Sequence, residues 1–291
     1  MLSLALPNGS LERATLEILD AADLPVRRGS SRSYRAFIED PRIESVRFLR
    51  PQEIATYVER GLFDLGITGR DWITETDSQV MSLGELCYSK ATSDPVRVVL
   101  AVPQQAPWRS LADLPEGVRI STEFPALTYR FLDEHGVKAE VVESHGATEA
   151  KVPDIADAIV DLTETGSSLR ENGLRILTTL LTSYTELIAN REAYEDTAKH
   201  KAMEEIAALL RSASRARDYV LLKLNVTRAR LEAITGLFPG DACVTALPCG
   251  SGDGCAVEAV VPKGSVNLLI PELKAAGANH VLEIPIAKLV D

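Results

Sequence analysis

Residues 161–174, DLTETGSSLRENGL, form the segment on which the fold and the function of this chain depend. An apolar run, residues 158–160 with Leu162, leads into the segment and predicts a buried strand. Residues 163–168 are rich in hydroxyl groups and do not suit a packed strand. Ser168 and Glu171 have capping-box spacing and predict a helix start, and Asn172-Gly173 predicts its end about one turn later. The segment is therefore predicted to form a strand, a turn and a helix N-terminus.

This turn has the chemistry of an anion site. Hydroxyls and backbone N–H groups converge there, with the positive end of the helix dipole behind them. Gly166 is predicted to adopt positive φ or to allow close approach to its backbone. A well-capped connection with nothing bound has the same pattern. Asp161 and Glu164 favour the functional interpretation, because a sugar phosphate that arrives with Mg²⁺ needs oxygen ligands or hydroxyl partners.

The length and the net charge of the chain limit the classes of function that it can have. A chain of 291 residues can hold two or three domains. The formal charge of −11 argues against a nucleic-acid partner, because neutralisation of phosphates by Lys and Arg supplies most of that affinity. The opening residues contain no basic segment and soon reach Pro7, so we predict no secretory signal. No apolar run is long enough to span a bilayer, and we expect a cytoplasmic protein without a membrane partner.

The cysteines do not predict a metal site. They are Cys87, Cys243, Cys249 and Cys255, and they form no CxxC pair. The even spacing of the last three would suit a metal, but no histidine cluster adjoins them. Small buried thiols in a reducing compartment are the better prediction.

A second strand–turn–helix pattern occurs at the start of the chain. Residues 2–6 predict a strand that Pro7-Asn8-Gly9 closes, and Ser10 is predicted to cap the following helix. The helix start is therefore a second candidate anion site, with Arg13 just inside it. An ordinary surface arginine would fit this position equally well.

Basic residues are concentrated between positions 27 and 47, against the acidic balance of the chain. Most of them should be solvated. Arg32, within SSRSYR, is the candidate for a substrate phosphate, because a guanidinium group forks onto phosphate oxygens. Further on, strands predicted at 46–49 and 63–67 enclose a helix at 52–60, and Thr68-Gly69-Arg70-Asp71 turns the chain into another helix.

Strands and helices alternate again from Pro95. This alternation predicts a parallel sheet and a second α/β unit. The predicted strands are 96–102, 118–121, 139–142 and 157–162, and the helical segments are 110–114 and 126–134. Thr122, at the end of one strand, is a candidate substrate contact. Residues 176–189 are expected to return the chain to the first unit, and Asn190 is predicted to cap a long connecting helix.

From residue 218 the pattern is β–α–β–β–α–β, the order of a ferredoxin-like split unit. Thr227 and Ser265 are predicted to cap its helices, and Pro271 is predicted to kink the second. Such a module could act as an assembly surface or as a regulatory domain.

The 161–174 segment resembles the signature loop of the ATP phosphoribosyltransferases, which open histidine biosynthesis. The resemblance extends to HGATEAKVPDIADAIVDL (145–162), FLRPQEIATYVERGLFDLGITGRDWI (48–73) and LALPNGSLERAT (4–15). The tail resembles the histidine-sensing domain of the long form of this family. The resemblance implies an α/β protein: a two-lobed core like type II periplasmic binding proteins, and a C-terminal ferredoxin-like, ACT-like regulatory domain. The implied segments are 1–90 with 178–212 for lobe I and the connector helix, 91–177 for lobe II, and 213–291 for the regulatory domain.

The resemblance also implies a reaction. In this family N1 of the adenine of ATP attacks C1 of the ribose of phosphoribosyl pyrophosphate (PRPP), and pyrophosphate leaves with inversion. Because the ring nitrogen is already unprotonated, no covalent nucleophile or strong base is implied, and positioning and charge stabilisation supply the rate. Mg²⁺ would carry the pyrophosphate charge. Histidine is the expected effector, and a homo-oligomer from dimer to hexamer is the expected assembly.

Residue roles follow from the residues and the resemblance together. The predicted PRPP-binding residues are Asp161, Thr163, Glu164, Thr165, Gly166, Ser167 and Ser168. The predicted ATP- or phosphate-binding residues are Arg13, Arg32, Arg70, Asp71, Thr122 and Lys151. The candidate metal ligands are Glu149 and Asp161, and the candidate histidine contacts are Asn225 and Thr245, with the loop 249–255.

Two alternatives share the plan. Prephenate dehydratase also combines a two-lobed cleft with a small amino-acid-sensing domain, but its Thr-Arg-Phe signature is replaced here by Thr128-Tyr129-Arg130-Phe131. A non-catalytic solute-binding or amino-acid-sensing protein is the other alternative. The predicted lack of an export signal and the PRPP-type loop weigh against it.

Overall fold

A computed structural model of the chain describes residues 1–30, 33–86, 88, 95–240, 242–249 and 252–290. The chain divides into two compact units, Met1–Ala207 and Ala208–Asp291. The first unit contains two sheets, which we call lobe I and lobe II, and the second contains one sheet. The two-lobed α/β core and the ferredoxin-like module are thereby confirmed.

Lobe I is built on a seven-stranded sheet with the order β2-β3-β4-β1-β5-β12-β6. Its strands are β1 (Leu2–Pro7), β2 (Val26–Arg28), β3 (Arg35–Ile38), β4 (Ile43–Leu49), β5 (Leu65–Gly69), β6 (Met81–Leu86) and β12 (Thr185–Ala189). Its helices are α1 (Glu12–Ala21), α2 (Pro51–Glu59) and α3 (Arg70–Thr76). The strands β4, β1 and β5 run parallel, whereas β12 is antiparallel to both β5 and β6.

Lobe II is built on a five-stranded sheet with the order β11-β7-β10-β8-β9. Its strands are β7 (Val96–Pro103), β8 (Val118–Thr122), β9 (Ala139–Glu143), β10 (Ala158–Thr163) and β11 (Leu174–Ser183). Its helices are α4 (Pro125–Glu134) and α5 (Ser167–Glu171), with 3-10 turns at Leu111–Asp113 and Thr148–Lys151. The strand β7 is packed on both faces, which explains its unbroken apolar sequence: Val98, Leu100 and Val102 enter one core cluster, and Val99 and Ala101 enter another.

The strand register brings the two crossings between the lobes to one place. Val96, at the start of β7, is paired with Ser183, at the end of β11. Thr163, at the end of β10, is paired with Arg97. On the lobe I side, Thr185 is paired with Gly69, directly before α3. The turn after β10 and the start of α3 therefore both lie where the chain passes between the lobes.

The lobe II sheet is mixed, so the prediction of a parallel sheet was wrong. Only β10, β8 and β9 run parallel, and β7 is antiparallel to its neighbours β10 and β11. The chain enters β7 from lobe I and returns to lobe I from β11, and both crossings lie at the same end of the sheet. That arrangement requires β7 and β11 to run in opposite directions.

The first unit ends in two helices, α6 (Arg191–Glu195) and α7 (Thr197–Ala216), and α7 contains the boundary of the second unit. Asn190 caps α6 as predicted, because its side chain accepts the N–H of Ala193. The predicted single helix is interrupted at Asp196, whose carboxylate accepts the N–H groups of Ala198 and Lys199 and starts the second helix.

The second unit is a βαββαβ sheet module with the strand order β14-β15-β13-β16. Its elements are β13 (Tyr219–Thr227), α8 (Leu231–Thr235), β14 (Val244–Cys249), β15 (Gly254–Pro262), α9 (Val266–Ala275) and β16 (Asn279–Pro285). Alternate residues of β13, Val220, Leu222, Leu224 and Val226, enter a core cluster with residues of α8 and α9. Pro271 lies inside α9.

Four predicted helix caps were wrong, and each error has a local cause. At Ser10, Thr227 and Ser265 a 3-10 turn precedes the α-helix, so no cap hydroxyl bonds the helix start. At Ser168 the helix begins one residue earlier, with Gly166 in the left-handed N-cap position. Three strands were missed, β2, β3 and β6, because they are short or only partly buried.

Among the described residues, no helix is long and apolar enough to cross a membrane.

Candidate active site

A cavity of about 530 Å³ lies between the two lobes of the first unit, at the crossing point. From lobe II it is lined by Leu162, Thr163, Glu164, Thr165, Ser167 and Ser168, and from lobe I by Gly69, Asp71 and Trp72. Ser183, Tyr184 and Thr185 form its lining where the chain crosses. Five of the seven residues predicted to bind PRPP therefore share one cavity with Asp71, which was predicted to bind the nucleotide, whereas Asp161 and Gly166 do not line it.

The turn 163–168 is held in shape by its own polar groups. Gly166 has φ of +74°, as predicted, and its N–H donates to Thr163 Oγ1 at 2.8 Å. Arg170 Nη1 donates to the carbonyl of Thr165 at 3.0 Å, and the hydroxyls of Thr165 and Ser167 are 3.0 Å apart. This corrects the predicted anion site at one point: the Gly166 N–H and the buried Thr163 hydroxyl bond to each other within the turn, and the exposed residues are Thr165, Ser167 and Ser168.

Carboxylates surround this turn on the lobe II side. Burial, together with the charges of Glu149 and Glu123, raises the pKa of Asp161 to about 7. A hydrogen bond from the Leu162 N–H acts in the opposite direction and lowers this pKa. Glu149 Oε1 accepts the hydroxyl of Ser168 at 2.6 Å, which connects the 3-10 turn Thr148–Lys151 to the start of α5. The site is therefore locally negative, and cations would relieve that charge.

The raised pKa of Asp161 predicts how stability depends on pH. Between about pH 4 and pH 7 the folded chain binds a proton that the unfolded chain has lost, so the free energy of unfolding falls as pH rises. Asp161→Asn removes this loss. In metal-free buffer without substrates, we expect the variant to gain roughly 2 kcal/mol relative to the parent between pH 5 and pH 8, a relative rise in Tm of roughly 4–8 °C.

Asp157→Asn is the matched control, because the Arg119 guanidinium lowers the pKa of Asp157. The stabilising effect of the Asp157–Arg119 ion pair is present above the ordinary carboxyl pKa and is lost only in acid. The Asp157→Asn variant should therefore gain no stability relative to the parent between pH 5 and pH 8. A parallel pH response of Asp161→Asn and the parent in thermal melts would contradict the prediction.

The lobe I wall is centred on Asp71. Ser183 Oγ accepts the N–H of Asp71 at 3.0 Å and donates to Asp71 Oδ1 at 2.8 Å. Burial raises the pKa of the Asp71 carboxyl, while bonds from Ser183 and from the N–H groups of Asp71 and Trp72 oppose that rise. A Cβ at Gly69 would collide with this carboxylate, which explains the glycine directly before α3.

Two further cavities adjoin this site through shared residues. A cavity of about 720 Å³ shares Trp72 with the first and is also lined by Arg50, Glu75, Glu123 and His145. A third, of about 490 Å³, shares Arg50 with the second and is lined by Asn8, Arg28 and Tyr34 among others. Arg28 lies over the Phe48 ring at 3.3 Å. The three cavities are therefore neighbours, with Trp72 between the first and the second and Arg50 between the second and the third.

Arg70 has carboxylate partners. Its Nε donates to Glu186 Oε1 at 2.6 Å and its Nη2 to Glu85 Oε1 at 2.7 Å. Glu186 is 4% exposed and also accepts the hydroxyl of Ser82 at 2.6 Å. A substrate phosphate would have to compete with two carboxylates for this guanidinium, which does not favour the predicted phosphate role.

The remaining predicted residues are distributed as follows. Arg13 is 92% exposed at its side chain and pairs with Glu17 along α1, so its position does not favour a phosphate site. Thr122 is fully buried and its Oγ1 accepts the Phe124 N–H, so its position does not favour a substrate contact. Lys151 Nζ donates to Ser144 Oγ at 2.6 Å, and Ser144 lines the second cavity.

The remaining predictions concern residues of the second unit and residues outside the described ranges. Asn225 and Thr245 are both exposed. Asn225 lies on the side of the sheet opposite the core, since its neighbours Leu224 and Val226 are core residues, and Val244, next to Thr245, is partly buried against the same core. Arg32, Cys87 and part of the loop 249–255 lie outside the described residues. Cys255 is buried, as predicted, whereas Cys243 is exposed.

Sequence reasoning missed the residues at the crossing. Ser183, Tyr184 and Thr185 line the cavity, yet they looked like an ordinary strand connection. One feature of the sequence could have identified them. Residues 183–185, Ser-Tyr-Thr, are polar and lie between two apolar strands, where the chain was expected to pass from one lobe to the other.

Comparisons with known proteins decide what this site belongs to. The family model described as HisG, ATP phosphoribosyltransferase, matches residues 50–212. The chain belongs to the ATP phosphoribosyltransferase family. The model of the HisG C-terminal domain matches residues 216–288. The ATP phosphoribosyltransferase of Chlorobium luteolum is 46% identical over 291 residues, covering 100% of this chain and 98% of that protein. The one from Pelotomaculum thermopropionicum is 43% identical, with 99% of each covered.

A solved structure agrees with this family. A chain of the ATP phosphoribosyl transferase (HisG:HisZ) complex from Thermotoga maritima has a TM-score of 0.59 and 28% identity, covering 71% of this chain and 98% of that one. The chain transfers the phosphoribosyl group of PRPP to N1 of ATP, giving N1-(5-phosphoribosyl)-ATP and pyrophosphate, the first step of histidine biosynthesis. The predicted family and activity are confirmed, and the two alternatives are set aside.

Proposed function

We propose that the turn 163–168 binds the ribose 5-phosphate part of PRPP and that the wall of lobe I binds the purine of ATP. The observation that carries this proposal is the single cavity lined by both. The hydroxyls of Thr165, Ser167 and Ser168 lie on its lobe II side, and polar groups that are already ordered bind a phosphate at low entropic cost.

The ribose hydroxyls would be held by Asp161 or Glu164. Glu164 lines the cavity, whereas Asp161 precedes the turn and is largely buried. A carboxylate near C1 also stabilises the positive charge that develops on the ribose as the bond to pyrophosphate breaks and the bond to N1 forms. We expect Mg²⁺, and the positive charge that develops on the ribose, to lower the pKa of Asp161 towards that of an ordinary carboxylate.

The purine side of the proposal rests on Asp71 and Trp72. Both line the cavity, and the buried Asp71–Ser183 pair gives that wall a fixed polar geometry. The indole of Trp72 borders both the first and the second cavity, so an adenine base beside it would place its phosphates towards Arg50. Positioning N1 against C1 is the main task, since neither atom needs a proton removed.

The family uses a divalent metal ion, and we propose that this ion is Mg²⁺. The carboxylates around the turn fit such an ion, since burial of Asp161, with the neighbouring charges of Glu149 and Glu123, raises the pKa of Asp161 and a cation would relieve that cost. Among the described residues, no group of three or more possible ligands could hold a metal alone. Mg²⁺ commonly uses one or two carboxylates together with substrate phosphates, so Glu149 and Asp161 would hold an ion that arrives with PRPP. When bound, the ion neutralises charge on the pyrophosphate.

One assay tests the activity and the metal together. The protein is mixed with ATP, PRPP, Mg²⁺ and pyrophosphatase, and the absorbance of N1-substituted adenine is followed. We expect the signal to require all three small molecules and to vanish with a chelator. A signal that persists without divalent metal would contradict the proposed role of Mg²⁺.

We also propose that the second unit senses histidine through its open sheet face, with Asn225 and Thr245 as contacts, in a cytoplasmic homo-oligomer. Both residues are exposed, and both lie on strands that flank β15. Asn225 is paired with Ala256 of β15, and Thr245 is paired with Glu258, two residues further along. Titrating histidine into the same assay tests the effector, and Asn225→Ala should weaken its inhibition without changing the uninhibited rate.

A further inference from the structure

Helix α3 of lobe I lies against the N-terminus of helix α4 of lobe II. The Glu75 carboxylate accepts two backbone bonds from α4: the Ala126 N–H donates to Oε1 at 2.9 Å, and the Leu127 N–H donates to Oε2 at 2.8 Å. The residue at the N-cap position of α4, Phe124, supplies no side-chain cap, and Pro125 has no N–H. The helix of one lobe is therefore capped by a residue of the other. We call this contact the interlobe cap.

Two neighbouring contacts strengthen the same junction. The Arg130 guanidinium of α4 donates to the carbonyl of Thr74 in α3. The rings of Trp72 and Phe124 are 4.5 Å apart between centroids and inclined by 38°. A carboxylate bonded to free N–H groups at the positive end of a helix is a charge-assisted contact with a defined direction. The junction therefore fixes orientation as well as distance.

The interlobe cap connects the two halves of the proposed site. In α3, Asp71 lies one turn before Glu75 and faces the cavity. Helix α4 follows β8, which is paired in parallel with β10, and β10 leads into the turn 163–168. Movement of α4 relative to α3 would change the separation of the purine wall and the PRPP turn.

We propose that Glu75 is a positioning residue for phosphoribosyl transfer, which holds lobe II so that the turn 163–168 faces the Asp71 wall at the distance that the reaction needs. Glu75 acts through α4 and not on the reacting atoms. The inference rests on the proposed assignment of the turn to PRPP. Its consequence is kinetic: each lobe keeps its own substrate contacts without Glu75, but their alignment is lost.

A distinctive kinetic signature follows. Misplacement of reacting groups by about 1 Å lowers rates by about 100-fold. We therefore expect Glu75→Ala to lower kcat by about 10- to 100-fold while the KM for PRPP stays within about threefold. Glu75 also lines the second cavity, so the KM for ATP is left out of this comparison. Glu75→Gln keeps one strong acceptor oxygen of the two, so its kcat should be intermediate. Arg130→Met weakens the same junction from lobe II and should lower kcat in the same way.

Asp113 provides the matched control, since it is a capping carboxylate within lobe II alone. It accepts the N–H groups of Arg109 and Ser110, both at 2.8 Å, and so resembles Glu75 in the number of backbone bonds. It contributes no lining to the three cavities described above. Asp113→Ala should lower Tm as Glu75→Ala does, yet leave kcat within about twofold of the parent.

The outcomes separate this proposal from a simple loss of stability. Circular dichroism and thermal melts establish that each variant is folded at the assay temperature, and Glu75→Gln serves if Glu75→Ala does not fold. An unchanged kcat in the folded Glu75 variants would overturn the inference, as would an equal fall in kcat for Asp113→Ala. The Gly166→Val variant described below tests the turn assignment separately, because it acts on the KM for PRPP and leaves the interlobe cap in place.

Discussion

Replacing Gly166 by valine is expected to lower kcat/KM for PRPP by about 100-fold or more, with the KM for PRPP raised at least about tenfold. Gly166 has φ of +74°, a conformation that costs a β-branched residue about 1–3 kcal/mol. A Cβ there would also lie 3.0 Å from Arg170 Nη1, the group that holds the carbonyl of Thr165. The variant therefore disturbs the turn from two directions.

Steady-state kinetics with each substrate varied in turn measures this effect. The KM for ATP should change by less than about threefold, because the lobe I wall is untouched. Gly117→Val is the matched control: Gly117 also lies in lobe II, has φ of +80°, and has no atom within 4 Å of an added Cβ. It should lose comparable stability with unchanged kinetics. An unchanged KM for PRPP in Gly166→Val would remove the turn from the PRPP site.

Arg70→Met is expected to destabilise the first unit by about 3 kcal/mol. The substitution leaves the Glu186 carboxyl group buried without the guanidinium that it contacts, while the hydroxyl of Ser82 still donates to it. Removing one member of a buried ion pair costs more than the pair contributes, because the remaining charge is uncompensated. Urea denaturation of the parent and the variant measures the difference.

A double substitution identifies the cause. Arg70→Met with Glu186→Gln removes the uncompensated charge and should recover at least about half of the lost stability. Glu85→Ala, which removes the half-exposed partner, should cost less than about 1 kcal/mol. If Arg70→Met instead raises the KM for ATP about tenfold at unchanged stability, the phosphate-binding role predicted from the sequence holds.

The elements that local sequence determines were predicted well. The strand and turn at 158–168 and the end of α5 at Asn172-Gly173 follow from an apolar run and a glycine at positive φ, which need no distant partner. The βαββαβ order of the tail was predictable for the same reason, since in β13 and β15 buried residues alternate with less buried ones.

What sequence reasoning could not supply depends on pairings far apart in the chain. The direction of β7 relative to β10 has no local signal, and neither does the capping of α4 by a carboxylate 51 residues earlier. Arginine has the same appearance in a sequence whether it meets a phosphate or, as Arg70 does, two carboxylates. Motif resemblance located the turn, but only packing located the wall opposite to it.

The strand order of lobe I has a consequence for synthesis on the ribosome. In that sheet β12 lies between β5 and β6, so β6 finds its neighbour only after residues 185–189 have been made. Roughly 100 residues, including all of lobe II, must be translated in the meantime, which takes about 5–20 s at ordinary elongation rates. During that interval β5 presents an unpaired edge to other nascent chains. The N-terminal lobe is therefore completed only after all of lobe II has been made.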